Sequence, residues 1–133
     1  MVFSAYRYND FGSQDLIYGG DLSFNKIIVN QGYGLSEETG TFVAPIGGIY
    51  FMSFAAPKYK QGVIHIIVSK NGRQEFRIRE YDSSNYQDNI QWSWMMDLQA
   101  FDQVTLNAPP NSIYCSDSIR ITFSGFLIKT HEE

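Results

Sequence analysis

The stretch Thr39-Gly-Thr-Phe-Val-Ala-Pro-Ile-Gly-Gly-Ile-Tyr-Phe51 decides the fold of this 133-residue chain. It predicts a short strand over Phe42–Ala44, a turn at Pro45 and Gly47-Gly48, and a longer strand over Ile49–Ala56. Proline cannot donate to a strand ladder, and glycine tolerates the positive φ angles that tight turns need. The segment therefore predicts antiparallel β-structure.

The strand after this turn is apolar on both of its faces. Side chains alternate along a strand, which puts Ile49 and Phe51 on one face. Tyr50, Met52 and Phe54 then lie on the opposite face. An antiparallel strand with one solvated face normally alternates apolar and polar residues. We therefore expect burial on both faces, one inside the domain and one against a partner, for which another copy of the chain is the first candidate.

Length and composition indicate one domain over residues 1–133, which is large enough to bury a core. The chain is 44% hydrophobic and 16% aromatic, unlike a disordered chain. Its net charge is −4 and its basic residues are scattered, so we expect no nucleic-acid binding. No apolar run reaches the length of a membrane span, and we expect no membrane insertion.

Alternation with a period of two recurs along the rest of the chain, and no helical period accompanies it. Val63–Lys70 and Gln74–Glu80 predict a hairpin, because Asn71-Gly72 suits the left-handed backbone of a type I′ turn. Further strands are expected at Val2–Tyr6, Ile27–Val29, Trp92–Leu98, Val104–Leu106 and Ile119–Ile128. Roughly ten short strands fit an all-β sandwich of two packed antiparallel sheets.

Several segments together resemble the globular C1q domain, the head of the C1q and tumour-necrosis-factor superfamily. The stretch quoted first is similar to the family's Thr-Gly-x-Phe-x-Ala-Pro-x-x-Gly-x-Tyr signature. The other similar segments are Val2-Phe-Ser-Ala5, Asn30-Gln-Gly32, Lys70-Asn-Gly72, Leu98-Gln-Ala-Phe-Asp-Gln-Val-Thr-Leu106 and Phe123-Ser-Gly-Phe-Leu127. The resemblance covers nearly the whole chain, and it is specific because the segments occur together and in order.

The resemblance implies a ten-stranded jelly-roll sandwich that forms a secreted, non-enzymatic homotrimer, with a heterotrimer as the alternative. Heads of this family bind complement activators, receptors, microbial surfaces or synaptic partners through loops and surfaces of the assembled trimer. We therefore expect a recognition module of innate immunity that binds a protein, glycan or microbial-surface ligand. A cytokine-like or structural trimeric ligand of a specific receptor is the alternative. No collagen-like Gly-x-y repeat is present, so a head-only protein and a trimmed stalk both stay open.

Candidate ligand and metal residues lie in the polar loop Tyr81–Asn89. Tyrosine combines a large contact area with a polar hydroxyl, so Tyr81 and Tyr86 are candidates for ligand binding, with packing within the loop as an equal alternative. Asp82 and Asp88 offer oxygen ligands for calcium, in a loop resembling the one that holds calcium in some C1q-like trimers. A solvated acidic turn is favoured, because the spacing matches no closed calcium motif.

The trimer interface is expected around four aromatic residues of the central strands. These are Tyr50, Phe54, Trp94 and Phe126. A register error of one residue would exchange the two faces of each strand, so the inward face stays open. Phe101 stands where the family usually has glycine, and we expect that turn to be built differently and to expose an aromatic side chain.

No catalytic residues are expected. The histidines are His65, in a strand, and His131, in the polar tail, and nothing in the sequence orients either beside a nucleophile. Cys115 is the only cysteine, so no intrachain disulfide can form. We expect a buried, inert thiol, with an intermolecular disulfide as the alternative.

Overall fold

The computed structural model describes residues 1–9, 15–16, 19–58, 62–82, 88–115 and 120–131, with the backbone alone at 15–16, 62–64, 81–82 and 88. Within these residues the chain forms strands and no helix. The strands are β1 (Val2–Arg7), β2 (Asp15–Leu16), β3 (Gly20–Asp21), β4 (Lys26–Gln31), β5 (Phe42–Val43), β6 (Gly48–Lys58), β7 (Gly62–Lys70), β8 (Arg73–Asp82), β9 (Asp88–Leu98), β10 (Gln103–Ala108), β11 (Tyr114–Cys115) and β12 (Ile121–Thr130).

Most of these strands belong to two antiparallel sheets that face each other. The five-stranded sheet has the order β4-β1-β12-β6-β9, and the second sheet has the order β3-β10-β7-β8, with β5 also paired to β10. Strands β2 and β11 form a separate two-stranded ribbon. The predicted all-β jelly-roll sandwich is confirmed, and the described strands exceed the expected ten because some are only two residues long. Over the same residues, no helical segment is long and apolar enough to cross a membrane.

The hairpin between β7 and β8 has the predicted turn. Asn71 has a φ of 54° and Gly72 a φ of 82°, so both residues adopt the left-handed conformation that a type I′ turn requires. Lys70 pairs with Arg73 across the turn, and the ladder then continues to the ends of both strands, with one register shift between Val68 and Ser69. The turn itself could be predicted from the Asn71-Gly72 dipeptide.

The core lies between the sheets and is rich in aromatic rings. Phe3 of β1 stacks on Phe42 of β5, with 4.7 Å between ring centroids, and meets Phe123 of β12 edge-on at 4.9 Å. Phe42 also contacts Tyr50 of β6 at 5.4 Å. The signature stretch therefore supplies rings from both layers of the sandwich. Gly125 of β12 is required beside them, because a Cβ at that position would lie 2.8 Å from the Phe3 ring.

Strand β6 has the predicted alternation, and the structure shows which of its two apolar faces points into the core. Tyr50, Met52 and Phe54 point into the core and are fully buried. Ile49 and Phe51 lie on the other face and stay half-buried. Since β6 lies between β12 and β9 in the five-stranded sheet, its half-buried face belongs to the outer surface of that sheet.

Candidate interaction surfaces

The outer face of the five-stranded sheet carries an apolar row that crosses four strands. Pairing places Val2 opposite Phe126, Phe126 opposite Phe51, and Phe51 opposite Met95. The rings of Phe51 and Phe126 lie 5.3 Å apart. Phe126 is nevertheless 45% exposed and Met95 is 68% exposed. Contiguous exposed apolar side chains mark interaction surfaces, so this apolar row is a candidate contact surface.

A row of four serines runs beside the apolar row on the same face. The hydroxyls of Ser4 and Ser124 are 2.9 Å apart and share a hydrogen bond, and Ser93 Oγ donates to Ser53 Oγ at 3.2 Å. Ser124 and Ser53 lie opposite each other in the ladder. Because one hydroxyl of each pair donates to the other, two of the four O–H donors of the serine row are already satisfied when another surface covers it.

The side of the sandwich between β8 and β9 exposes a second apolar surface, formed by Trp92. The register puts Trp92 opposite Phe54, on the inward-facing row of β9 that also holds Trp94. Phe76 of β8 covers Trp94, with 5.3 Å between ring centroids, and Trp94 is only 8% exposed. Trp92 is 54% exposed. The predicted apolar face of β9 is therefore buried at Trp94 and open at Trp92.

Three of the four residues expected at the trimer interface lie in the core of the chain. Tyr50 and Phe54 are fully buried between the sheets, and Trp94 is nearly so. The hydroxyl of Tyr50 donates to the carbonyl of Ile46 at 2.5 Å, and burial raises the pKa of Tyr50. Their side chains are covered by the chain's own atoms, because alternation along β6 and β9 turns them inward. Phe126 is the one of the four on the outer face.

The outer face presents Phe51 and Met95, which the interface prediction omitted. The sequence did place Phe51 on the face opposite Tyr50, and the doubly apolar strand signalled that both faces mattered. It did not show which face points inward, since the period of two is the same for both. Met95 gave no signal, because it stands beside apolar residues on either side in the sequence.

The predicted ligand and calcium residues lie around the connection between β8 and β9. Tyr81 and Asp82 end β8, and Asp88 begins β9 opposite Lys58. Tyr86 and the side chains of these three residues lie outside the described residues, so both assignments stay predictions. Among the side chains that the structure describes, no three acidic, histidine or cysteine groups come together to hold a metal ion.

The histidines lie apart from each other. His65 is on β7 opposite Arg79, and His131 hydrogen-bonds Asp97, with 2.5 Å between Nε2 and Oδ1. Within the described part of the chain, this carboxylate is the side-chain partner of His131. Cys115 is buried in β11, as predicted for an inert thiol. The expectation of no catalytic residues stays a prediction.

The turn between β9 and β10 exposes Phe101, as predicted from the missing glycine. Phe101 keeps the left-handed backbone that glycine favours, with a φ of 72°, and is 74% exposed. The carboxylate of Asp102 accepts the Gln99 N–H at 2.8 Å and an Asn71 Nδ2–H at 2.9 Å. Asn71 Oδ1 in turn accepts the Gln103 N–H at 2.8 Å. These bonds, led by that from Asn71, hold the pKa of Asp102 below its ordinary value of 3.8.

In sequence, residues 2–128 match the C1q domain family. The collagen alpha-1(X) chain of Mus musculus is 31% identical over 113 residues, which cover 83% of this chain and 16% of the collagen chain. Complement C1q tumor necrosis factor-related protein 3 of Mus musculus is 26% identical over 129 residues, which cover 96% of this chain and 51% of that protein. The chain thus spans about half of the length of one relative and a smaller part of the other.

Solved structures share the fold. The globular domain of zebrafish complement 1qA superposes with a TM-score of 0.77 at 18% identity, covering 98% of both chains. Murine APRIL at pH 5.0 superposes with a TM-score of 0.66 at 13% identity, covering 95% of this chain and all of that chain. Eiger TNF from S. frugiperda gives 0.69 at 8% identity, covering 100% of this chain and 97% of that chain. At these low sequence identities, the similarity to the solved structures concerns the fold alone.

Proposed function

Because the chain belongs to the C1q domain family, we propose that it is a secreted, non-enzymatic recognition module that assembles into a homotrimer. The assembled head binds a protein, a glycan or a microbial surface. The observation that carries the assembly is the apolar row from Val2 through Phe126 and Phe51 to Met95, which the rest of the described chain leaves partly open.

Two different apolar surfaces on one chain favour a cyclic assembly over a two-fold dimer. A two-fold contact that buries the apolar row against itself leaves the edge at Trp92 uncovered. A head-to-tail contact joins the edge of one copy to the sheet face of the next, and such contacts close into a ring when the rotation permits. Three copies are the number that the resemblance to C1q heads implies. Weak binding at each head then gains strength from multivalency.

The mass of the assembly, measured by light scattering on a sizing column, tests this proposal. We expect three chains both in calcium and in chelator. A trimer that dissociates in chelator supports Asp82 and Asp88 as calcium ligands. A monomer in both buffers contradicts the assembly.

A matched pair of variants locates the interface on the outer face. Phe51→Asp places a charge in the apolar row and is expected to give a folded monomer. Phe101→Asp changes another exposed aromatic residue, which lies on the turn between β9 and β10 and not in the apolar row, and is expected to leave the mass unchanged. Equal masses for the two variants contradict the proposed location.

Ligand capture is proposed at the loop between β8 and β9. Replacing both Tyr81 and Tyr86 by alanine is expected to weaken capture of microbial cells or immobilised glycans while the mass stays that of the wild type. Unchanged capture removes this loop from the binding surface.

A cytokine-like or structural ligand for one receptor is the second candidate function, and the fold shared with APRIL and Eiger TNF is compatible with it. Because both functions use one fold, binding must separate them. Capture of glycans or microbial cells supports the recognition module. Saturable binding to one protein on host cells, without glycan binding, supports the receptor ligand.

A further inference from the structure

Two tyrosines and an arginine meet at the end of the outer face where β1 ends and β12 begins, and Lys26 lies beside them in the sheet register. Tyr6 pairs with Lys26 of β4 on one side. The Tyr8 ring lies 5.6 Å from the Tyr6 ring, between centroids. The guanidinium carbon of Arg120 lies over the Tyr6 ring, 4.3 Å from its centroid. These four residues are called the tyrosine–arginine cluster.

Hydrogen bonds to Asn25 hold the backbone of the two tyrosines in place. The side-chain amide of Asn25 donates to the Tyr8 carbonyl at 2.8 Å and accepts the Tyr8 N–H at 3.1 Å. The backbone N–H of Asn25 donates to the Tyr6 carbonyl at 3.2 Å. A surface fixed in this way loses little conformational entropy when a ligand binds, which favours affinity.

The two cations of the cluster lack a carboxylate partner within the described part of the chain. Arg120 contacts the Tyr6 ring there and makes no ion pair, and exposed Lys26 makes none either. This is notable in a chain whose net charge is −4. A guanidinium stacked on a ring keeps its in-plane N–H donors available, in the geometry that binds a carboxylate or sulfate through two parallel hydrogen bonds.

A second copy of the chain does not suit this cluster. Burying cations that have no carboxylate partner among the described residues is costly, so the cluster is unsuited to the apolar contact proposed between copies. The cluster also lies away from the apolar row, since Thr122, the β12 partner of Tyr6, is about 13 Å along the strand from Phe126 at about 3.3 Å per residue. It therefore belongs to the rim of the proposed interface, in contact with solvent.

The combination of rings and cations selects a ligand with an apolar face and a negative group. A tyrosine ring offers a flat apolar surface, and its hydroxyl exchanges hydrogen bonds with hydroxyl groups. Two cations are too few to neutralise a nucleic-acid backbone. A sugar ring that carries a carboxylate or sulfate meets both requirements.

We propose that the tyrosine–arginine cluster binds an acidic sugar, whose ring packs on the tyrosines and whose negative group bonds to Arg120 and Lys26. The inference rests on the proposed function, because it gives that recognition module a second ligand surface, apart from the loop between β8 and β9, and names its ligand class. It places binding on each head, so a single chain is sufficient for it.

Calorimetry of the whole chain with trigalacturonate tests the proposal, with the methyl-esterified trisaccharide and inorganic sulfate as matched probes. The ester keeps the sugar rings and loses the charge, and sulfate keeps the charge and has no ring. We expect trigalacturonate to bind at least about tenfold more tightly than either, as charge-assisted hydrogen bonds predict. Equal affinity for the ester, equal affinity for sulfate, or no binding of trigalacturonate overturns the proposal.

Variants then locate the site. Arg120→Gln is expected to weaken trigalacturonate binding about tenfold, and Arg120→Lys to give an intermediate loss because it keeps the charge without the planar fork. Arg79→Gln, which removes an exposed arginine of β8, is the control and is expected to bind normally. Thermal melting verifies that each variant folds, and Tyr6→Leu serves as the second test should Arg120→Gln unfold. Normal binding by either folded variant overturns the assignment to this cluster.

The mass of the same sample separates this inference from the proposed assembly. A trimer that binds no trigalacturonate overturns the acidic-sugar site and leaves the assembly standing. A monomer that binds trigalacturonate and loses affinity on Arg120→Gln supports the site and contradicts the trimer.

Discussion

Phe101 has a positive φ angle that residues other than glycine avoid. The hydrogen bonds around Phe101 explain how the turn maintains this backbone conformation. The Phe101 N–H donates to the Ala44 carbonyl at 2.6 Å, while Asp102 is fixed by Gln99 and Asn71. The exposure of Phe101 could be predicted, because the position resembles a family glycine. The bond between Asn71 and Asp102 could not, since the two residues are 31 positions apart and meet only through the pairing of β7 with β10.

Replacing Phe101 tests how much strain the turn carries. Phe101→Gly and Phe101→Ala both remove an exposed ring, but only glycine relieves the left-handed backbone. We expect the glycine variant to be more stable than the alanine variant by about 1 kcal/mol, after the entropy of glycine in the unfolded chain is subtracted. Urea unfolding of both variants measures the difference, and equal midpoints contradict strain at this position.

The carboxyl of Asp102 makes the stability of this turn depend on pH. Its pKa is lower in the folded chain than the ordinary value, so its contribution is present above that value and is lost as pH falls through the folded pKa. We expect Asp102→Asn to be less stable than wild type at neutral pH, and the gap to narrow toward about pH 3. Urea unfolding at neutral pH and at about pH 3 measures the difference in free energy of unfolding between wild type and Asp102→Asn. A gap that is constant with pH contradicts this role, and Glu38→Gln, in another exposed turn, is the control.

At the scale of the element, β6 serves two surfaces at once. Its inward residues fill the core and its outward residues form the centre of the apolar row. The alternation could be predicted from the sequence, because a period of two follows from strand geometry alone. The choice of inward face could not, because both faces of β6 are apolar and the decision depends on the pairing with β12 and β9.

Substitutions on the inward face and on the outer face of the five-stranded sheet are expected to destabilise the protein in different ways. Phe54→Ala leaves a cavity in the core and is expected to lower the free energy of unfolding by about 3–5 kcal/mol at every protein concentration. Phe126→Ala, on the outer face, is expected to change the melting temperature mainly where the chain is assembled, so its effect depends on concentration. Thermal melting over a hundredfold range of concentration distinguishes them. A Phe126→Ala effect that is independent of concentration contradicts an interface at the apolar row.

At the scale of the whole molecule, the proposed assembly and the proposed acidic-sugar binding use different parts of one sheet face. The apolar row and the tyrosine–arginine cluster lie along the same strands, with the serine row between them. The sequence predicted an assembled head but gave no indication of the cluster, because Tyr6 and Arg120 come from opposite ends of the chain. Antiparallel pairing of β1 with β12 brings them together.

A trimer with one cluster on each head should bind long polymers far more tightly than short ones. We expect polygalacturonate to bind the wild-type chain about a hundredfold or more tighter than trigalacturonate, through multivalency. Phe51→Asp is expected to lose most of that advantage while its affinity for trigalacturonate stays normal. Binding to immobilised polygalacturonate measures the affinity for the polymer, and calorimetry measures the affinity for trigalacturonate. A monomeric variant that keeps the full advantage contradicts the multivalent mechanism.

The serine row has a consequence for the choice of partners. Two of its four O–H donors are used within the chain, so a neighbour that covers this face has only two hydroxyls left to accept from. A contact of this kind selects its neighbour mainly by shape complementarity and buried apolar area, rather than by specific hydrogen bonds. A related chain with a similar row would therefore enter the assembly almost as readily as an identical one, and mixed assemblies would form wherever such chains are made together.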